Sequence, residues 1–467
     1  MSDFSSLNIA KSGLDAHAKR LSVIGDNIAN IDTEGYTRRR VDLEPIGTEK
    51  AGVYSGSTAQ HGGVSSEEVS RLRNELLSNH ARTQAGVAAD RGQTVETLQE
   101  LEQVLGGLDD NGLRTRLTEF FNSFDDLANA PEDPAMRSVV LQRAESVANG
   151  FTQTAGDVDD LQGRMTTGLQ DQVRALNELA SEVAELNGQI MTAIGADSSP
   201  NALLDRRDLK VDQMAKLADI QVIESAHGQI IVSLDGRHLV NGDSAMTVAA
   251  ELQTHAALGA LGYQYYTVVD SQGREMTIGN GELAATIRSI TQLVPDARTE
   301  LDNLRDDLIT QVNALHTAGT GLDGSTGLNM FEAHPTATSG GLIVSADVAG
   351  QPEKIAAAAA GAGDLDAGNA DALAELADST TGPVAAYIAM VTDLAATVNT
   401  AEGAAGAADA ASALADNLAL AAGGVSLDQE LTDLISAQRA YEASARMMTA
   451  IDEMLQTLIN RTGIVGR

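Results

Sequence analysis

The chain has no cysteine and no tryptophan, and only eight prolines and six phenylalanines in 467 residues. Without cysteine there can be no disulfide and no thiolate metal site. Aromatic residues make up 3% of the chain, so its cores must be built from Leu, Ile, Val and Ala, which suits helical bundles better than compact enzyme cores. Basic residues are also scarce: 31 against 66 acidic ones give a net charge of −35. A nucleic acid or an anionic membrane is a poor partner for such a chain, because both are polyanions. No stretch reads as approaching the roughly 18 apolar residues of a membrane span. The start, MSDFSSLNIAKSGL, has neither a cationic leader nor a continuous apolar run, so no conventional secretory signal is expected. Composition alone would put the protein in the cytoplasm.

The two ends carry heptads. At the front, Leu7, Leu14, Leu21 and Ile28 recur every seven residues, with Ala10, His17, Ile24 and Ile31 three places later. At the back the series is Leu427, Leu434, Tyr441, Met448 and Leu455, with Ala437, Ser444, Ile451 and Leu458 three places after four of them. A seven-residue apolar repeat keeps a narrow stripe facing a partner helix, so the ends are expected to pair with each other or with copies of themselves. Each stripe includes several small or polar residues. Five or six good side chains at ~1.5–3 kcal/mol each are set against ~1–2 kcal/mol of backbone entropy per ordered residue. Either end alone is therefore marginal, and the two are expected to fold together as the protein assembles.

Between the ends the pattern is mostly helical. Residues 41–64 read as loop, punctuated by Gly47, Gly52, Gly56, Gly62 and Gly63. Ser65 and Glu68 form a capping-box pattern, predicting a helix through Leu72, Leu76 and Leu77 and a second near 94–105. Asp110-Asn111-Gly112 predicts a turn. Leu113, Leu117, Phe120, Phe121, Phe124 and Leu127 predict a bulky helix stripe that belongs in a core. Pro131 and Pro134 bracket the start of a long helix to about Ile194, and a shorter one follows with Leu203, Leu204, Leu209 and Leu217 inward. From about 219 to 280 the runs become β-branched, separated by Ala226-His227-Gly228, Asp235-Gly236, Asn241-Gly242 and Gln272-Gly273, which is hairpin chemistry. Helix returns from Leu283 to about His316, residues 317–350 read as loop, and an Ala-rich tract follows with helix near 369–378 and 383–420. The expected architecture is mainly α with an inserted β domain. It comprises a terminal coiled-coil domain (1–40 plus 425–467), a discontinuous long-helix bundle (41–218 plus 281–424) and a small all-β outer domain (219–280).

No constellation for catalysis stands out. The pairs Asp109-Asp110, Asp125-Asp126, Asp159-Asp160 and Asp306-Asp307 read as solvated faces, because adjacent residues on a helix do not point together. No HExxH, GxSxG, P-loop or EF-hand spacing occurs. Gly319-Thr320-Gly321-Leu322-Asp323-Gly324 fits GxGxxG but follows a helix, not a strand. The sequence thus predicts no enzyme, no cofactor and no metal. Arg38-Arg39-Arg40 is a basic knot in an acidic chain, either solvated or docked on acidic neighbours.

Two runs carry a resemblance. Ala29-Asn30-x-x-Thr33-x-Gly35-Tyr36-Thr37-Arg38, preceded by Ser12-Gly13-Leu14 and Asn27-Ile28, resembles the N-terminal signature of the bacterial flagellar rod, hook and hook-associated axial proteins. Val425-Ser426-Leu427-Asp428-Gln429-Glu430, with Gln438-Arg439-Ala440-Tyr441 and Ala445-Arg446, resembles their C-terminal signature. Three interior runs resemble the hook-associated branch that forms the hook–filament junction: Ala130 to Arg137, Pro200 to Asp208, and Val312-Asn313-Ala314-Leu315-His316 with Gly324 beyond.

The resemblance implies a structural protein of the flagellum, outside the cell, exported by the type III route without a cleaved leader. It implies a ring of copies of itself, contacts with the flagellar hook protein and with the second junction protein (hook-associated protein 3), and an export chaperone on the C-terminal helix. It places axial assembly at Leu7, Leu14, Leu21, Ile24, Ile28, Ala29, Asn30, Thr33, Gly35, Tyr36 and Arg38. At the C-terminal end the corresponding residues are Leu427, Leu434, Gln438, Tyr441, Arg446, Met448, Ile451, Leu455 and Leu458. The alternatives are a hook or distal-rod protein of the same family, or a coiled-coil scaffold that is not exported.

Overall fold

The computed structural model describes residues 2–46, 62–66, 68–106, 112–253, 265–335 and 340–462. Gly47, Gly52, Gly56, the Asp109-Asp110 pair and Asn111 lie outside them, as does the side chain of Leu458.

Ten helices are described: α1 (Ser2–Ala29), α2 (Glu75–Gly106), α3 (Leu113–Ala128), α4 (Pro134–Gly195), α5 (Asn201–Leu217), α6 (Glu282–Arg288), α7 (Val294–His316), α8 (Gly368–Ala374), α9 (Pro383–Gly423) and α10 (Leu427–Thr462). At ~1.5 Å per residue α4 is about 93 Å long. It starts where the sequence predicts: Pro134 sits at its first turn, and Asp133 Oδ1 accepts the Ala135 N–H at 2.8 Å.

The Phe stripe of α3 is fully buried against the first half of α4, α7 and Phe331. Phe120 stands 5.1–5.3 Å from Phe121, Phe124 and Phe331 in tilted and edge-on pairs. A second core joins the other half of α4, from Leu169 to Ala184, to the β region and to Val211 and Met214 of α5.

In the β region, β5 (Gln221–Glu224), β6 (Ile230–Leu234), β7 (Arg237–Asn241) and β8 (Ser244–Ala245) form an antiparallel meander. Beside it β9 (Val248–Gln253), β10 (Tyr265–Asp270) and β11 (Glu275–Met276) form a three-stranded sheet. The turn residues do what their chemistry predicts: His227, Gly228, Asp235, Gly236, Gly242 and Gly273 all have positive φ. The start and end of the region touch, since a Cβ on Gly281 would lie 2.6 Å from the Leu217 carbonyl.

Several expectations are corrected. No helix starts at Ser65; residues 64–65 and 69–71 are short strands, and α2 begins after Asn74, whose Oδ1 accepts the N–H groups of Leu76 and Leu77 at 3.1 and 3.3 Å. The expected pair of helices is one, and Leu76 is 82% exposed. Helix α5 buries Asp205, Arg207 and Asp208 with Val211 and Met214, while Leu203, Leu204, Leu209 and Leu217 are only half-buried. The ion pairs described below hold those carboxylates inside. Between α6 and α7 the helix widens to a π turn over Ser289–Leu293. It sits where Pro295 lacks a donor and would crowd the carbonyl four residues back.

The Ala-rich tract has helix at both expected places, in α8 with the 3-10 turn Glu375–Ala377 and in the 41-residue α9, which lies along α2. Alanine's helix propensity outweighs its internal glycines. Between Pro383 and Thr457 one 18-residue stretch has a mean hydropathy of 1.3, enough by length and composition alone for a membrane span and more than the sequence reading allowed, because a run of alanines accumulates hydropathy without large side chains.

Candidate functional site: the terminal helix pair and its polar root

The two ends meet as an antiparallel pair. Gly13 of α1 faces Ser444 of α10, Arg20 faces Asp433 and Asn27 faces Glu430. On α10 the expected stripe is the one used: Ala437 and Ile451 are buried, and Leu434, Tyr441, Ser444, Met448 and Leu455 are half-buried. On α1 the buried set is wider than the expected stripe, of which Ala10 and Ile24 are buried. Ala10, Ala16, Val23, Ile24 and Asn27 are buried, whereas Leu7, Leu14, Leu21 and Ile28 are half-buried and Ile31 is exposed. The added burial has a cause: α1 is covered on a second side by β1 (Arg39–Val41) and by β3 (Val64–Ser65), where Val64 N–H donates to Ser12 Oγ at 3.2 Å.

At the root of the pair the Asn27 side chain makes four hydrogen bonds. Its Nδ2 donates to the Arg39 carbonyl at 2.9 Å and to Glu430 Oε2 at 3.1 Å. Its Oδ1 accepts from the Tyr36 hydroxyl at 2.9 Å and from the Arg39 N–H at 3.0 Å. An amide has two donors and two acceptor lone pairs, so Asn27 is fully satisfied although 1% exposed. Glu430, also 1% exposed, accepts from Arg38 Nε at 2.5 Å, and Arg38 and Arg20 both reach Asp433, at 3.1 and 2.9 Å.

The turn leading there is built locally. Asn30 and Thr33 hydrogen-bond to each other through side chain and backbone, and Gly35 takes φ +77° against Leu209. The Arg38 backbone then bridges Gly423 at the end of α9 (2.9 Å) and Leu72 (2.8 Å). Burial pushes the Tyr36 phenol above its ordinary value, which keeps its proton available for Asn27.

The basic knot is docked. Arg39 pairs with Asp205 at 3.1 Å, with its guanidinium 4.8 Å from the centre of the Tyr36 ring. Arg71 bridges Asp205 and Asp208 at 3.0 and 2.8 Å, Arg73 joins Asp208 at 2.8 Å, and Arg82 holds Asp212 at 2.6 Å. Arg40, itself exposed, pairs with its neighbour Asp42 at 2.9 Å. The network ties the helix pair to α5 and α2.

Of the expected site residues, Ile24 and Ile451 are buried, and Leu7, Leu14, Leu21, Ile28, Tyr36, Arg38, Leu434, Tyr441, Met448 and Leu455 are half-buried. The structure leaves Ala29, Thr33, Gly35, Leu427, Gln438 and Arg446 exposed and Asn30 half-exposed. The sequence reading missed Asn27, Glu430, Asp433, Asp205 and Asp208 as site residues. Glu430 had a visible signal, a carboxylate on the apolar stripe seven residues before Ala437; the aspartates of α5 had only their place beside two arginines.

The interior signatures serve as anchors. Arg137, 1% exposed, donates Nε to the Pro131 carbonyl at 2.9 Å, Nη2 to the same oxygen at 2.6 Å, and Nη1 to the Ile355 carbonyl. Asn313 clasps Met330 and Phe331, and His316 bridges the Leu328 carbonyl (2.7 Å) and the Ala356 N–H (3.1 Å). Among the described residues no three side chains gather that could hold a metal.

Residues 98–331 match the model of the flagellar hook-associated protein FlgK helical domain, residues 7–37 that of the flagella basal body rod protein, and residues 419–461 that of the flagellar basal body rod FlgEFG protein C-terminal region. The chain is 28% identical to flagellar hook-associated protein 1 of Bacillus subtilis, with each chain covered completely. It is 29% identical to the protein of that name from Salmonella typhimurium, over 70% of this chain and 59% of that one. The solved flagellar hook junction protein FlgK of Burkholderia pseudomallei is similar with a TM-score of 0.48 and 25% identity, over 56% of this chain and 47% of that one. The chain belongs to the family of flagellar hook-associated proteins.

Proposed function

We propose that the protein is a structural subunit of the bacterial flagellum that joins hook to filament, its terminal helix pair forming the inner, axial part of a ring of copies. The observation that carries this is where apolar surface is left uncovered. Of twenty large apolar side chains exposed among the described residues, nine lie between Ile388 and Met454, four on α9 and five on α10. A terminal pair whose α10 is apolar on its outer side needs a further partner, and adjacent copies of the same pair supply one. The exposed signature residues Gln438 and Arg446 lie on α10 where such neighbours would meet it.

In this reading the hook protein and hook-associated protein 3 stack below and above the ring. An export chaperone shields α10 until delivery outside the cell by the type III route. The β region, carried by the far half of α4, faces away from the axis. Deleting the gene tests the whole reading: cells should still build hooks but release unattached flagellin into the medium, counted by electron microscopy and by blotting of culture supernatants. Normal filaments on the deletion strain would overturn it.

A further inference from the structure

The apolar stripes of α1 and α10 repeat every seven residues, so sliding one helix past the other by a heptad sets similar side chains against each other again. The polar root does not repeat. Asn27 and Glu430 are the sole polar side chains described as buried on the two helices, and Glu430 completes both the Asn27 amide and the Arg38 guanidinium. A slide of seven in one direction would set Asn27 against Ala437 and carry Glu430 beyond the end of α1. A slide in the other would bring Glu430 to Arg20 and leave Asn27 facing no helix. Either way a buried amide or carboxylate loses a partner it has only in the native alignment, and an unsatisfied buried polar group is costly.

We infer that the Asn27–Glu430–Arg38 cluster is the register pin of the terminal pair: the apolar stripes hold the helices together, and this cluster decides their alignment. The inference concerns pairing within one chain and does not depend on the junction reading, so failure of either leaves the other standing.

The absence of cysteine makes the alignment directly readable. A Cβ on Gly13 would lie 3.9 Å from the Ser444 Cβ, within the span of a disulfide. Gly13→Cys with Ser444→Cys reports the native register. Gly13→Cys with Ala437→Cys or Ile451→Cys reports the two slipped ones, each about 10 Å away along the axis in the native pair. In the otherwise unaltered full-length protein, only the first pair should close under mild oxidation. In Asn27→Leu/Glu430→Leu, which removes both partners and leaves the stripes intact, slipped closure should rise about tenfold or more, the equivalent of one lost charge-assisted hydrogen bond. Three results would overturn the pin: slipped closure already abundant without the leucines, exclusively native closure with them, or no closure at all in a leucine variant whose circular dichroism shows the helices intact.

Discussion

His316 shows how a residue in a family signature can act through one protonation state. Its Nδ1–H donates to the Leu328 carbonyl, and its bare Nε2 accepts from the Ala356 N–H. Burial lowers its pKa below the usual 6.5, because an imidazolium there would be poorly solvated and would set a second N–H against the Ala356 donor. A histidine pKa lowered by folding means the folded state binds fewer protons. Its contribution is therefore complete above the unfolded value of 6.5 and is lost as pH falls through that value toward the folded pKa. Urea unfolding between about pH 7.5 and 5.5, where most carboxylates stay ionised, should show stability falling toward the acid side. His316→Gln should be less stable at neutral pH but flatter across that window; equal slopes for the two proteins would refute the assignment. Asn27, Asn187 and Asn313 follow the same logic with amides, each closing its bonds on backbone that would otherwise be buried and unpaired. None of this was legible in the sequence, where an asparagine on a helix reads only as a weak helix former. Motif and periodicity locate these side chains; the strand or loop that comes to meet them is set by tertiary packing.

Among the elements, α9 is the one whose sequence and structure stand furthest apart. Its glycines read as weak points, yet the helix runs unbroken because α2 packs along it. Gly403 and Gly406 have nothing within 4 Å of where a Cβ would stand, so there glycine costs backbone entropy without gaining a close approach. Replacing both with alanine should raise stability by about 1–2 kcal/mol, seen as a higher midpoint in thermal or urea unfolding. Gly86 of α2 is the control: a Cβ there would lie 2.7 Å from the Ala215 carbonyl, so Gly86→Ala should push α5 away and destabilise. A gain at Gly86 equal to that at 403 and 406 would mean that the close contact of α2 with α5 carries no weight. The sequence made the long elements readable where pattern and punctuation coincide, as at Asp133-Pro134 and at the hairpin glycines. It misled at Ser65, where a local capping pattern lost to strand pairing, of Ser65 with Glu44 and of residues 69–71 with Arg39–Val41, and at α5, where four leucines outlined a stripe that two paired aspartates displaced. Burying a carboxylate needs partners from elsewhere in the chain, here Arg39 and Arg71, and a helical period cannot show them.

For the molecule as a whole, the question is what the β region does to the body that carries it. Two asparagines of α4 clamp it: Asn177 exchanges two hydrogen bonds with the Val248 backbone, and Asn187 binds the Ile230 and Gly242 carbonyls. The same face of α4 gives Leu169, Val173, Leu176 and Val183 to the shared core. The region is therefore fastened to α4 along that face, although its two ends meet at Leu217 and Gly281 and could be rejoined directly. Removing residues 219–280 would leave that apolar face bare, at ~1.5–3 kcal/mol per large side chain, while the terminal pair and its polar root, built from other residues, keep every contact described above. Joining Ala218 to Gly281 should thus give a protein that melts lower and is less soluble, yet still closes the Gly13–Ser444 disulfide and still caps hooks in cells lacking the native chain. Polar substitution of Leu169 and Leu176 in the shortened protein should recover solubility. If the shortened protein keeps the native disulfide but no longer supports filaments, the β region belongs to the assembly interface rather than to its periphery. If the disulfide itself is lost, the helical body between the two ends sets the geometry of the pair, and α4 cannot be pared down without undoing it.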